Sequence, residues 1–268
     1  SKSTFTDISS RTHLVGKKPI SSPALQALIF DVDGTLADTE SAHRAAFNHA
    51  FAELGMDWQW DEALYLELLN ISGGKERIRH YWMQAHPDIR ALDGQAVQDT
   101  INQIHELKTA AYEQAVQDGA VALRPGVLKL IEAAFTDGLR LAIATTTSPV
   151  NITALLRTAI GPDWRQYFTV VEDASTAPIK KPHPQVYLQT LKRLELPARA
   201  CLALEDSANG LQAALAASLA TIITPNAFTA HHDFKGALRV LPSLRDVNVA
   251  HLRAWHAEAN AGKALLSA

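Results

Sequence analysis

The chain has 268 residues, enough to bury a sizeable core in one or two domains. Apolar residues make up 47%, and the net charge of −3, with an isoelectric point near 6.4, excludes a basic field for nucleic acid. The single cysteine, Cys201, excludes an internal disulfide and a thiolate zinc site, and no apolar run reaches the roughly 18 residues of a membrane span.

Residues 1–22 are polar and rich in Ser, Thr and Lys, and lack the apolar centre of a secretory signal. They read as a flexible N-terminal extension. The default expectation is a cytoplasmic monomer; a transit-peptide remnant in 1–22 is the organellar alternative. From there strand and helix alternate. Short apolar runs cover 24–30, ending at Asp31; 139–145, ending at Thr145; 167–173; 200–206, ending at Glu205 and Asp206; and 219–225. Runs this short and apolar on both faces suit buried parallel strands. Cys201 lies in one of them and is expected as a buried strand residue. Helical patterns over 126–137, 149–160, 184–195 and 207–218 fill the gaps, helped by prolines at the start and by Ser207 as an N-cap. The order predicts an α/β, doubly wound parallel sheet with right-handed crossovers.

One stretch breaks the alternation. Residues 39–121 carry only helical signals, so an all-helical cap is expected there, inserted into a core made of 23–38 and 122–268. Ala42, Ala46, Phe47, Ala50, Phe51 and Leu54 form the stripe of its first helix, ended by Gly55. Trp58, Trp60 and Trp82 are expected in the core of this cap.

Ligands of open parallel sheets bind beyond the carboxyl ends of the strands. Asp31 with Asp33, Thr145, and Glu205 with Asp206 all fall at that edge, and the loop after the third run adds Lys180 and Lys181. Two carboxylate clusters in one place need a cation, and an all-oxygen donor set suits Mg²⁺. A hydroxyl, a lysine and Mg²⁺ together suit a phosphoryl group. Each residue also has a plainer reading. Asp31 and Asp33 could cap a helix, the Thr145–Thr147 run could be ordinary strand, Lys181 could be a solvated charge and Lys180 is expected to be one, and Asp206 could cap the helix starting at Ser207. Other motifs fail on spacing. "DVDG" does not continue as a calcium loop, "GGKE" at 73–76 lacks the rest of a Walker loop, and "HELKT" at 105–109 has no second histidine for zinc. His231 and His232 are expected to be solvated.

"DVDGTLADT" resembles the first motif of the haloacid dehalogenase-like phosphotransferases. Thr145 in "AIATTTS" is similar to the second motif, Lys181 in "KPHP" to the third, and "LEDS" at 204–207 to the fourth, in order over residues 25–225. The resemblance implies an aspartyl-phosphate mechanism, with Asp31 as nucleophile and Asp33 as general acid and base. It implies that Asp31, the Asp33 carbonyl and Asp206 hold Mg²⁺ with Glu205 nearby, that Thr145 and Lys181 hold the phosphoryl oxygens, and that Lys181 keeps Asp31 ionised. Acidic Asp33 points to phosphoryl transfer rather than dehalogenation.

Within that family "DVDGTLADTE", "MDWQWD", "GGKERI", "LRPG", "ATTTS" and "LEDS" resemble the CbbY-type phosphatases of xylulose-1,5-bisphosphate. The substrate implied is a small phosphorylated sugar. Gly73, Gly74, Lys75 and Arg77 are the expected second-phosphate reader, on a glycine-opened helix start. Glu40 and His43 are expected to border the sugar hydroxyls, with Thr146, Thr147 and Asn151 also on the substrate; Arg79 is left as surface. The alternatives are a mutase similar to β-phosphoglucomutase and a silent phosphate-binding regulator, the latter disfavoured because no catalytic position is missing.

Overall fold

Phe30, the last residue of strand β1 (Ala27–Phe30), has a parallel partner on either side, Ile143 in β2 (Arg140–Ala144) and Leu204 in β4 (Cys201–Glu205). The next residue of β1's chain, Asp31, therefore stands level with the ends of both neighbours, and its N–H donates to the Leu204 carbonyl at 3.0 Å. The protein is described by a computed structural model that covers residues 23–266 apart from Leu92; the expected extension over 1–22 lies outside the described residues. The remaining strands are β3 (Phe168–Glu172), β5 (Ala220–Ile223) and β6 (Arg239–Val240). They form one parallel sheet in the order β3-β2-β1-β4-β5-β6. The chain builds outward from β1 to β3, then crosses to β4, so the direction of winding reverses beside β1. That switch point is where ligands of such sheets bind.

The five apolar runs all become strands. The sequence reading did not include β6, a two-residue, partly exposed edge with no apolar run behind it, nor the last helix. Helices α5 (Val127–Thr136), α6 (Pro149–Ala159), α7 (Gln185–Leu194), α8 (Ala208–Ala216) and α9 (Val249–Leu266) cover both faces, and four further helices belong to the inserted segment. The N-caps are chemical: Ser148 accepts from the Asn151 N–H and Ser207 from the Gly210 N–H.

Strand alternation divides the core into two unlike halves. Leu28, Phe30, Leu141, Ile143, Leu202 and Leu204 face one way and pack with residues of α5, α6 and α9. Ala27, Ala142, Ala144 and Ala203, with Ile29 and Cys201, face the other way beneath α7 and α8. Cys201 is buried as expected, and burial, partly countered by Arg140, pushes its thiol up to about 12, far from a nucleophile's range.

Between β1 and α5 come only helices among the described residues: α1 (Glu40–Glu53), α2 (Glu62–Leu68), α3 (Gly74–Ala85) and α4 (Gly94–Gln117), plus one short 3-10 turn. They have a separate core, in which Trp60 packs on Phe47 at 4.8 Å and on Phe51 at 4.9 Å between ring centroids, with Trp58, Tyr65 and Ile104 around them. Trp82 packs against it from the rim. Such aromatic pairs add roughly 0.5–1.5 kcal/mol each beyond buried area.

The two connections to this helical unit run side by side. Ala37 bridges antiparallel to Leu123, and the Arg124 N–H donates to the Leu36 carbonyl at 2.8 Å. The Arg124 guanidinium is buried here. It donates to the carbonyls of Gly34 (2.6 Å), Thr224 (2.7 Å) and Pro225 (2.8 Å), tying the first motif to the end of β5. Gly34 has φ +79°, and a Cβ on it would collide with the Asp206 carboxylate and the Asn226 amide, so the turn is open only to glycine. Arg124→Met should cost about 3–5 kcal/mol of stability, since it strands buried carbonyls without donors. Urea unfolding measures this; a loss under about 1 kcal/mol would mean water replaces the guanidinium freely.

Candidate active site

A cavity of about 450 Å³ opens between the carboxyl ends of the strands and the helical unit. Of the site residues expected from the sequence, all but Thr145 line it. Thr145 is buried below the wall, where its Oγ1 accepts from the Thr147 N–H at 3.2 Å, while Thr146 and Thr147 face the cavity. Asn151 donates from Nδ2 to Thr147 Oγ1 at 2.9 Å, and its Oδ1 is buried without a partner among the described residues.

At the floor, one carboxylate oxygen each from Asp31, Glu205 and Asp206 lie within 4.8 Å of one another. Lys181 is the neighbouring cation. Its ammonium donates to Asp31 Oδ1 (3.0 Å), Glu205 Oε1 (2.6 Å) and the Ala144 carbonyl (2.9 Å), which uses all three protons. Burial alone would lower the Lys181 pKa, but Asp31 and Glu205 together raise it above the usual lysine value. The Tyr187 hydroxyl also donates to Glu205 Oε1, and its ring lies 5.1 Å from the Lys181 ammonium. Thr35 Oγ1 reaches Asp31 Oδ2 (3.0 Å) and Asp206 Oδ1 (3.2 Å) with a single proton to give.

Three carboxylates around one ammonium leave an excess of negative charge. Burial and Asp31 push Glu205 up to about 7 in spite of Lys181, and burial with Asp31 and Glu205 holds Asp206 well above the usual carboxylate range. Glu205 Oε2 is buried with no partner among the described residues. The donor set is all oxygen, crowded and under-compensated, which fits a hard divalent cation. The Asp33 carboxylate is not in this group, so Asp33 could contribute to the metal only through its main chain.

The Asp33 carboxylate turns to the helical unit. Its Oδ1 accepts from Thr39 Oγ1 (2.8 Å) and meets His43 Nε2 (2.7 Å). His43 Nδ1 in turn lies 2.8 Å from the buried ammonium of Lys108. An ammonium can only donate, so the His43 proton sits on Nε2 and points at Asp33. Tyr112 stacks on the His43 ring at 4.1 Å and holds its plane. Burial would raise the Asp33 pKa, but His43, Thr39 and Lys108 bring it down to about 2. Burial lowers Lys108 to about 8, against the pull of Asp33.

Glu40, His43 and Arg77 line the cavity and also have partners within the chain, while the readings of Lys180, His232 and Arg79 are corrected. His43 has both ring nitrogens occupied by Asp33 and Lys108, so it links the helical unit to Asp33 rather than offering a free group to a sugar. Glu40 accepts from the Tyr65 hydroxyl at 2.8 Å, which makes it partly a brace. Arg77 donates to the Leu68 (3.0 Å) and Ile71 (2.8 Å) carbonyls and crosses the Tyr65 ring, so it mainly fixes the turn between α2 and α3. Arg79 is not merely surface, since it donates to Gln98 on α4. Lys180 is no solvated charge: it lines the cavity and donates to the Thr146 carbonyl at 3.0 Å. His232 also lines the cavity, and its Nδ1 accepts from the Ala208 N–H at 3.1 Å. Lys75 is exposed at the cavity rim behind Gly73, whose φ of +94° starts α3. Nearby His105 is held neutral, with a pKa near 3, by burial and by Lys108, Lys75 and Lys180.

The sequence profile of the haloacid dehalogenase-like hydrolases matches residues 25–218. The chain belongs to the haloacid dehalogenase-like hydrolases. It is an enzyme of that family. It is 51% identical over 248 residues to the plasmid-encoded protein CbbY of Cupriavidus necator, covering 87% of this chain and 97% of that one. CbbY of Cereibacter sphaeroides is 44% identical over 83% of this chain and 94% of its own. Among solved structures, a CbbY variant from Rhodobacter sphaeroides in complex with xylulose-1,5-bisphosphate superposes with a TM-score of 0.77 at 42% identity, over 85% and 99% of the two chains. A β-phosphoglucomutase from Clostridium difficile has a TM-score of 0.72 at 20% identity, which shows the shared fold.

For this hydrolase the Lys108 pKa has a measurable consequence. Its folded value near 8 lies below the usual 10.5, so between those pH values the unfolded chain binds more protons than the folded one. Stability should therefore rise from pH 8 to 10.5 relative to Lys108→Met, by on the order of 3 kcal/mol in all, and that gain should be lost as the pH falls through 8. Denaturant unfolding of both proteins at pH 7.5, 9 and 10.5 gives the difference. A flat difference would show that burial does not penalise this ammonium.

Proposed function

We propose that this phosphatase removes one phosphate from a sugar bisphosphate, xylulose-1,5-bisphosphate or a close relative, with Mg²⁺ at the three-carboxylate floor. The observation that carries the reading is the two-ended cavity. Asp31 and Lys181 line its floor, and Lys75, Lys180 and neutral His105 line it as well. One end suits phosphoryl transfer and the other a second anion. The likeness to CbbY chains, one of them crystallised with that bisphosphate, supports the same choice.

In this reading Asp31 and Asp206, with Glu205 beside them, would hold Mg²⁺, which would supply positive charge to the floor and to the phosphate oxygens. Asp31 attacks phosphorus, and Lys181 orients it through Oδ1. Asp33 begins as a carboxylate, set by Thr39 and His43 to take a proton from the water that cleaves the aspartyl phosphate. To serve the leaving oxygen first it takes up one proton from solvent as the phosphate dianion arrives and raises its proton affinity, gives that proton to the leaving oxygen, and is a carboxylate again when the water attacks. The helices above exclude bulk water while the acyl phosphate exists.

With Mg²⁺ present, the purified protein should release inorganic phosphate from xylulose-1,5-bisphosphate with a kcat/KM well above that for p-nitrophenyl phosphate. Asp31→Asn should fold normally, as circular dichroism reports, and release none. Equal turnover of both esters would remove the bisphosphate from the reading, and phosphate release by Asp31→Asn would remove the nucleophile. Lys75→Ala should raise KM for the bisphosphate about tenfold, the low end for a charge-assisted contact because Lys75 is exposed, and leave p-nitrophenyl phosphate unchanged. If both substrates respond alike in steady-state kinetics, the second phosphate is held elsewhere.

A further inference from the structure

The loop that follows β5 touches both halves of the molecule. Asn226 spends its whole side chain on three partners. Nδ2 donates to Asp206 Oδ2 at 2.9 Å and to the Gly34 carbonyl at 3.1 Å, and Oδ1 accepts from the Phe228 N–H at 2.9 Å. The reverse amide orientation would set its oxygen against a carboxylate and a carbonyl and its NH₂ against an N–H, so the assignment is fixed by the partners. Asp206 belongs to the three-carboxylate floor, and Asn226 and Thr35 are the side chains that hold its two oxygens.

Two residues on, the half-buried Phe228 ring leaves the sheet domain and packs against the aromatic core of the helical unit. It meets Tyr65 edge-on with centroids 6.3 Å apart. The Tyr65 hydroxyl continues to Glu40 at the first residue of α1. The loop is otherwise pinned. The Asn226 N–H donates to Thr229 Oγ1 at 3.0 Å, its carbonyl accepts from the Ala230 N–H at 2.9 Å, and Arg124 holds the Pro225 carbonyl. A second cavity lies beside it, lined by Arg124, Asp38, Ser41, Asn226 and Phe228, so the ring has room to shift with the helices.

We propose that Asn226 and Phe228 are positioning residues that couple the cation-binding carboxylate Asp206 to the placement of the helical unit over the active site. The idea rests on the metal reading above. A cation that fixes Asp206 fixes Asn226, and through its amide oxygen the Phe228 main chain, whose ring then anchors α2. The coupling is reciprocal. Whatever docks the helices also pre-orients Asp206 for the cation. Neither residue need touch substrate or metal.

The test needs no turnover. Mg²⁺ affinity is measured by calorimetry on the substrate-free protein, and hydrogen exchange of amides 62–71 is followed with and without saturating Mg²⁺. In the wild type Mg²⁺ should slow exchange in that segment. Phe228→Ala should abolish the slowing and weaken Mg²⁺ binding about fivefold, although its side chain is no part of the floor. Asn226→Ala should also abolish it. The affinity losses of the two should not add in the double variant, because both interrupt one chain of contacts. Heat of binding with unchanged exchange in the wild type overturns the coupling alone, as do additive losses or a response kept by Phe228→Ala. Absence of any heat overturns the metal reading and the coupling with it. If Phe228→Ala does not fold, the wild-type exchange measurement decides.

Discussion

Everything in this molecule is arranged around the cost of keeping Asp31, Glu205 and Asp206 together in a buried place. Carboxylates that close repel each other and resist desolvation, and one ammonium cannot neutralise three of them. Lys181 gives two of its three protons there, Tyr187 adds a hydroxyl, Thr35 shares one proton between two acids, and Asn226 donates an amide. Even so, one oxygen of Glu205 is left without a partner among the described residues. A structure that only needed to be stable would place apolar side chains there. The excess charge is a feature of the chemistry, and the sheet exists in this order because the switch point beside β1 brings the two carboxylate-bearing strands next to each other.

The second acid of the first motif lives in a different electrostatic world, only two residues away. Residues two apart share a face of a strand, but β1 ends at Phe30 and the chain turns through Gly34, so Asp31 meets Lys181 on the cation floor while Asp33 meets Thr39 and His43 of the helical side. The first has Lys181 and the second has Thr39, His43 and, behind them, Lys108. Two carboxylates with separate sets of partners can hold separate protonation states, which a nucleophile and a proton carrier require. The helical unit thus supplies part of the environment of a core residue, and its position bears on the protonation of Asp33.

The strands and the floor were legible in the sequence because both are local. A buried parallel strand is a continuous apolar run, and the acids of the floor follow directly on such runs. The inserted helices were legible through the stripe from Ala42 to Leu54. What escaped depends on distance along the chain. Lys108 meets His43 from 65 residues away, and nothing around it distinguishes it from a solvated lysine. Arg124 reaches carbonyls 90 to 101 residues away in either direction. The partners of Lys180 and His232 escape for the same reason: a side chain's type gives its reach and charge, while its partners come from folding. β6 was missed because a short edge strand lacks the apolar run that marks the others.

The alanine-lined face of the sheet leads further. With Ala27, Ala142 and Ala203 on one side and Ala213 and Ala214 on the other, α8 lies so near the strands that a single added carbon at Gly210 would strike the Glu205 carboxylate. There is no slack in that layer to absorb a larger side chain. The rim of the cavity is different, since Lys75 and Glu76 stand in open solvent. Larger side chains therefore fit at only one half of the pocket. A lineage built on this scaffold can alter what it reads by editing an exposed helix start, while the reacting layer stays frozen by its own tightness.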